Sequence, residues 1–255
     1  MFFRLVRLTL REGAFWPFRS YYESRILPAL AATEGCRYAA LLRPARDDAS
    51  RSCDSLTLWE TAAHADAYEA GGLYDRLLDG ADPFLAEATL YTTDLARRRP
   101  GERPPLPDPE VAKLPVEAGG EAGGAARDPA LFLRVVDHRV EPSRFDELRT
   151  AWQKEVAPEL LATPGCVAAY LVEGLRGRSQ ALSVSFWTDE ESAVRYEAGG
   201  RFDRLAERLR PFLSGLYQWR LSLAPEEVQR PAGYADLSVS GFDVVVGRTL
   251  RTPAA

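Results

Sequence analysis

The chain has 255 residues, 46% apolar and 27% charged, with a net charge of −5 and three cysteines. That length and balance suit about two ordinary globular domains. The acidic surplus argues against a nucleic-acid surface as the main function, no apolar run approaches the roughly 18 residues of a spanning helix, and Cys36, Cys53 and Cys166 lack the close pairing of a zinc or redox motif.

The first predicted element is a strand, Phe2 to Leu8, rich in strand formers but interrupted by Arg4 and Arg7. Its opening, Met1-Phe2-Phe3-Arg4, lacks the continuous apolar region and small-residue cleavage site of a signal peptide, so a cytoplasmic location is expected and no membrane partner. Phe15, Phe18, Tyr22, Ile26 and Leu30 then follow steps of three and four, one face of a helix. Pro28 falls in its last third, where a proline is expected to bend or end it. A second strand starts at Gly35-Cys36 and runs to about Leu42, and a third covers Ser55–Trp59. Helices follow that pause at Gly71-Gly72, and a fourth strand is predicted at Thr89–Asp94.

The same order then returns. With a constant shift of 130, Phe2, Arg4, Val6, Phe15, Pro28, Gly35 and Cys36 align with Phe132, Arg134, Val136, Phe145, Pro158, Gly165 and Cys166. Past Leu42 the shift becomes 128, and Trp59, Tyr68-Glu69-Ala70-Gly71-Gly72 and Pro83-Phe84 recur as Trp187, Tyr196-Glu197-Ala198-Gly199-Gly200 and Pro211-Phe212. The second copy's fourth strand is predicted at Tyr217–Leu223, and Ser143 after Pro142 is a plausible helix cap. The chain is thus expected to hold a first repeat over 1–95, a Pro/Gly-rich, extended linker over 96–130, a second repeat over 131–224, and a C-terminal extension over 225–255 carrying one or two strands.

Each copy reads β-α-β-β-α-β, the split βαβ or ferredoxin-like unit. The expected class is α+β, with two tandem ferredoxin-like repeats packed sheet to sheet as an internal dimeric α+β barrel, because each sheet has one apolar face that its own helices leave uncovered. The chain is then an internal pseudo-dimer, and a further homodimer is left open.

These features resemble the antibiotic biosynthesis monooxygenase family of the dimeric α+β barrel superfamily. Pro28…Gly35-Cys36 and Pro158…Gly165-Cys166, Trp59 and Trp187, and the Tyr-x-x-x-Gly-x-[Tyr/Phe]-x-x-Leu helix region carry the resemblance. It implies a cofactor-independent monooxygenase acting on an aromatic or polyketide-like small molecule, with no cofactor and no metal: a pocket between sheet and helices holds the substrate, which is deprotonated to a carbanion that meets dioxygen directly. The alternative is a non-catalytic small-molecule-binding or interaction protein on the same scaffold. The family's polar pocket residues include Asn, and this chain contains no asparagine. Where haem-degrading relatives place a helix histidine, it has Leu78 or Ala206, which speaks against haem degradation.

The candidate catalytic residues are His138, Arg134 and Tyr196, all in the second copy; Arg4, Tyr22, Tyr68 and Trp152 are candidate pocket residues. His138 stands on the first strand opposite Leu8 of copy one, so only one half has a base there, although a neighbouring backbone group would equally satisfy it. Arg4 and Arg134 interrupt apolar strands at the same place and need partners. They suit a carboxylate or enolate oxygen in a cleft, or a structural salt bridge with Asp75 or Asp203, or with Glu69 or Glu197. Tyr22 and Trp152 suit an aromatic wall, or plain core. His64, aligned with Ser192, is expected at the surface.

Overall fold

The computed structural model describes residues 1–45, 51–86, 110–121, 132–174, 177–214 and 238–249. The first repeat runs β1 (Phe2–Thr9), α1 (Phe15–Tyr21), α2 (Leu27–Ala31), β2 (Cys36–Pro44), β3 (Ser52–Trp59), α3 (Ala62–Ala70), α4 (Leu73–Ala81) and β4 (Glu110–Glu121). The second runs β5 (Phe132–Arg139), α5 (Phe145–Ala151), α6 (Ala157–Leu161), β6 (Cys166–Gly174), β7 (Gly177–Trp187), α7 (Glu190–Ala198), α8 (Arg201–Leu209) and β8 (Ser238–Thr249). The strands close into a barrel in the order β1-β3-β2-β8-β5-β7-β6-β4.

Two of these strands lie where the sequence suggests none or leaves their role open. The segment 96–130, expected to be an extended linker, contains β4, and the C-terminal segment contains β8. Their limits are related by the repeat's own shift, since 110 + 128 = 238 and 121 + 128 = 249. Each occupies the fourth-strand place of its ferredoxin-like unit. β4 pairs with β1 of its own repeat and β6 of the other; β8 pairs with β5 and β2 in the same way. Pro115 and Gly119-Gly120 make β4 a poor strand by propensity. Pairing of 110–115 with β1 and of 116–121 with β6 overrides that, with a register shift between Val116 and Ala118 in the second ladder. The fourth strands expected at Thr89–Asp94 and Tyr217–Leu223 lie outside the described residues.

Every neighbouring pair is antiparallel, so β1 and β5, four places apart in the ring, run the same way. The two repeats are therefore related by a pseudo-twofold along the barrel axis. Strand alternation sorts the side chains into three cores. Phe3, Tyr38, Leu56, Leu58, Leu133, Tyr170 and Phe186 point into the barrel, where both repeats meet. Val6, Leu8, Phe18, Tyr22 and Trp59 lie between the first sheet and its helices, and Val136, Phe145, Leu148, Trp152 and Trp187 lie between the second sheet and its own.

The prolines do not end the first helix of each repeat. A π turn at Tyr22–Ile26, and again at Trp152–Val156, widens the helix just ahead of Pro28 and Pro158, and the chain resumes as α2 and α6. Ser143 is not a cap; it lies in a 3-10 turn, Pro142–Arg144, that leads into α5. Between α3 and α4, and between α7 and α8, Gly72 and Gly200 take left-handed backbone at φ 68° and 66°, which glycine adopts without a Cβ penalty.

Candidate active site on the helix side of the second sheet

On β5 the even-numbered residues Arg134, Val136 and His138 face the helices, and Ser185, Ser183 and Ala181 of β7 stand opposite them. Arg134 is 4% exposed. Its Nε donates to Glu197 Oε1 at 2.5 Å, and its guanidinium carbon lies 4.3 Å from the Phe202 ring centroid and 5.5 Å from that of Tyr196. Glu197 and Tyr196 are neighbours on α7, while Phe202 comes from α8, so the glycine break between these helices brings acid and rings around one cation. Tyr196 in turn packs 5.3 Å from Trp187, whose indole N–H donates to Ser185 Oγ at 2.9 Å. Arg134 and Tyr196 thus come together in a buried setting, with His138 apart from them along β5. Of the four acids weighed as partners, Glu197 and its counterpart Glu69 hold the arginines.

His138 lies four residues further along the same face, roughly 13 Å at the usual strand rise, beside the small Ala181. It is 4% exposed, and its Nε2 has no hydrogen-bond partner among the described residues. Burial, and then the nearby Arg134 charge, lower its pKa to about 4, so the imidazole is neutral at physiological pH. Arg134 Nη2 is likewise buried and unpartnered. Between them along the strand pair, Ser183 stands opposite Val136, and its Oγ accepts a hydrogen bond of 3.1 Å from the Trp152 indole N–H.

The first repeat reproduces this frame without the histidine. Arg4 Nε donates to Glu69 Oε1 at 2.8 Å, and its guanidinium carbon lies 4.3 Å from Tyr74 and 5.5 Å from Tyr68. Tyr22 shares a hydrogen bond of 3.0 Å with Ser55, the counterpart of Ser183. Burial raises the pKa of Tyr22 and Tyr68 well above the usual phenol range. The His138 position is Leu8, opposite Cys53. His64 is half-buried rather than at the surface, with its Nδ1 3.1 Å from Thr61 Oγ1 at the start of α3, away from this frame. Phe202, Tyr74, Ser183 and Ser55 belong to the site but were not singled out in the sequence; the signal was their recurrence in pairs at the repeat shift.

Residues 132–208 match the sequence profile of the antibiotic biosynthesis monooxygenase family. The second repeat thus carries the sequence pattern of that family's domain. The first repeat carries the same frame of side chains. No curated protein matches the chain in sequence. In fold it is similar to a candidate monooxygenase of Fusobacterium nucleatum, with a TM-score of 0.67 at 8% identity over 97% of this chain and 94% of the other. A candidate monooxygenase of Lactobacillus acidophilus gives 0.66 at 12% identity, over 98% and 96%. An anthrone oxidase-like protein gives 0.54 at 15% identity, over 100% and 95%. At these identities the likeness is one of fold. Among the described residues no cluster of three or more His, Cys, Asp or Glu is arranged to hold a metal, and no helix is long and apolar enough to cross a membrane.

Proposed function

We propose that the second repeat is a cofactor-independent monooxygenase for a flat aromatic or polyketide-like phenol, with His138 as the base. The observation that carries this reading is the pair of buried, unpartnered nitrogens on one strand face: the neutral Nε2 of His138 and the cationic Nη2 of Arg134. The Nε2 of His138, without a hydrogen-bond partner among the described residues, takes a proton from an acidic C–H flanked by arene rings and a carbonyl, and the enolate formed offsets the imidazolium charge that burial alone disfavours. Arg134 then holds the enolate oxygen that forms, and Trp152 and Tyr196 flank the ring system.

The carbanion gives its electrons to dioxygen and a C–O bond forms. The imidazolium returns its proton to the peroxide, and loss of the second C–H proton expels hydroxide as the O–O bond breaks. The net change is CH2 + O2 to C=O + H2O, with dioxygen as the oxidant and no redox cofactor required. An anthrone has this C–H, and the fold likeness to an anthrone oxidase-like protein makes it the natural first probe.

A second reading, a non-catalytic binding protein on the same scaffold, draws on one observation. Both arginines already have acid and aromatic partners within the protein, with the same geometry in the half that has no histidine. Oxygen uptake with dithranol, an anthrone phenol, separates the two. The oxygenase reading expects uptake that His138→Leu abolishes while dithranol still binds. Binding without uptake in the unmodified protein favours the second reading, and uptake that survives in the variant removes His138 from the mechanism.

A further inference from the structure

The two repeats meet inside the barrel, where positions come in twins related by the pseudo-twofold. Most twins are alike: Leu5 and Val135, Leu42 and Val172, and Leu56 and Val184 are aliphatic in both halves. Four twins differ. Phe3 on β1 answers to Leu133 on β5, and Leu58 on β3 to Phe186 on β7. Tyr38 on β2 answers to Ala168 on β6, and Ala40 to Tyr170. At each of these places one repeat has a ring where the other has a smaller side chain, and each repeat supplies two of the rings. All eight residues are buried.

The rings meet across the boundary between the repeats. Phe3 lies edge-on to Tyr170 with centroids 5.5 Å apart and stacks on Phe186 at 6.2 Å, while Tyr38 lies edge-on to Phe186 at 5.3 Å. The Tyr38 hydroxyl has no hydrogen-bond partner among the described residues, so what Tyr38 contributes here is its ring. A barrel of two first repeats would set Phe3 against Ala40 and Leu58, and Tyr38 against Leu58. A barrel of two second repeats would set Tyr170 and Phe186 against Leu133, and Phe186 against Ala168. Neither keeps any of the three ring contacts, although each would still hold four rings. Ring pairs at these distances stabilise beyond the area they bury, and a close-packed interior is sensitive to where its bulk lies.

We propose that the barrel faces of the two repeats are matched to each other and not to themselves, so that each repeat pairs with the unlike repeat. Specificity is then a difference between the unlike pairing and the two like ones, set by the four unequal twins. The halves are not interchangeable: a barrel holds one repeat with Leu8 and one with His138, and so a single histidine at that place. This matching stands apart from the chemistry proposed above, and either can fail without the other.

Exchanging the pattern within the full chain tests it, because each exchange only permutes one Phe, one Tyr, one Leu and one Ala and leaves the composition of the interior unchanged. Phe3→Leu, Tyr38→Ala, Ala40→Tyr and Leu58→Phe together set like against like, and are expected to lower the thermal unfolding midpoint by roughly 10 °C. Leu133→Phe, Ala168→Tyr, Tyr170→Ala and Phe186→Leu do the same from the other side. Their loss is expected to be larger, since they also remove the contact of 6.0 Å between Tyr170 and Phe186 within the second repeat. All eight changes together rebuild the ring contacts on the opposite side of the axis, and are expected to return the midpoint to within a few degrees of the unmodified chain. Single-repeat exchanges as stable as the unmodified chain overturn the proposal. So does an eight-residue variant that loses the sum of the two, which would mean that each side chain is fitted to its own sheet. If no exchanged chain folds, Phe3→Leu, Phe186→Leu and their double variant decide, since they only remove bulk. A double loss smaller than the sum of the single losses supports the matching, and additive losses overturn it.

Discussion

His138 and Arg134 lie on one face of β5, four residues apart, and each has a buried nitrogen without a partner among the described residues. The relationship is costly in two ways: a guanidinium sits out of water, and an imidazole beside it is discouraged from becoming charged. In the first repeat Leu8 avoids the second cost. At that place the second repeat sets His138 over the small Ala181 where the first sets Leu8 over Cys53.

The cost has a measurable pH signature. His138 has a folded pKa of about 4 against an ordinary 6.5, so between those values the unfolded chain binds a proton that the folded chain refuses. Its contribution to stability is full above pH 6.5 and is lost as pH falls through 4. At 1.36 kcal/mol per decade the gap amounts to roughly 3 kcal/mol. Urea unfolding at pH 7, 5 and 4 should show this loss in the unmodified protein, and His138→Leu should flatten that part of the profile. An identical acid limb in both proteins would mean that His138 titrates normally.

The buried pairs should respond unequally to removal of their two partners. Arg134 has a side chain 4% exposed, whereas that of Glu197 is 28% exposed. Glu197→Ala strands a cation that water cannot reach and is expected to cost about 3–5 kcal/mol. Arg134→Met leaves a carboxylate that can be solvated and keeps apolar bulk against Phe202, so its cost should be smaller. Chemical denaturation of both single variants and the double variant checks this; a larger loss for Arg134→Met would reverse the assignment of which partner is trapped.

The hydrogen bond beneath the site should matter to both stability and geometry. Ser183→Ala leaves the buried Trp152 N–H without its acceptor, at an expected cost of about 1–3 kcal/mol. Ser55→Ala in the first repeat affects a phenol that can rotate its hydroxyl, and should cost less. Thermal unfolding of the two variants side by side provides the comparison.

Much of this fold is legible in the chain because each element is written twice and changes period in the same order. The first three strands and the helix pair of each repeat show in apolar spacing, and Arg4 and Arg134 show as charges in apolar strands. The choice of Glu69 and Glu197 over Asp75 and Asp203 does not, since it depends on how the helices turn at Gly72 and Gly200. The course of the helix through Pro28 depends on a π turn that leaves no pattern of its own. β4 is hidden for another reason: its formation is decided by neighbours distant in sequence, β1 and β6, against the local preference of Pro115 and Gly119-Gly120.

That placement of β4 can be tested through its backbone. β4 pairs with β1 over 110–115 and with β6 over 116–121, so the amides it turns toward those neighbours should exchange with deuterium far more slowly than those of an extended linker. Leu114→Pro puts a second proline beside Pro115, opposite Phe3, in the half of β4 that pairs with β1. The expected loss is at least about 1–3 kcal/mol, with faster exchange in β1 and β6 as well as β4, because all three share the ladder. Deleting residues 110–121 should be more damaging still, since β1 and β6 would then present open edges and the barrel could not close. If amides across 110–121 instead exchange at the rate of an unstructured chain while β1 stays protected, the barrel closes without β4 and the first repeat lacks its fourth strand.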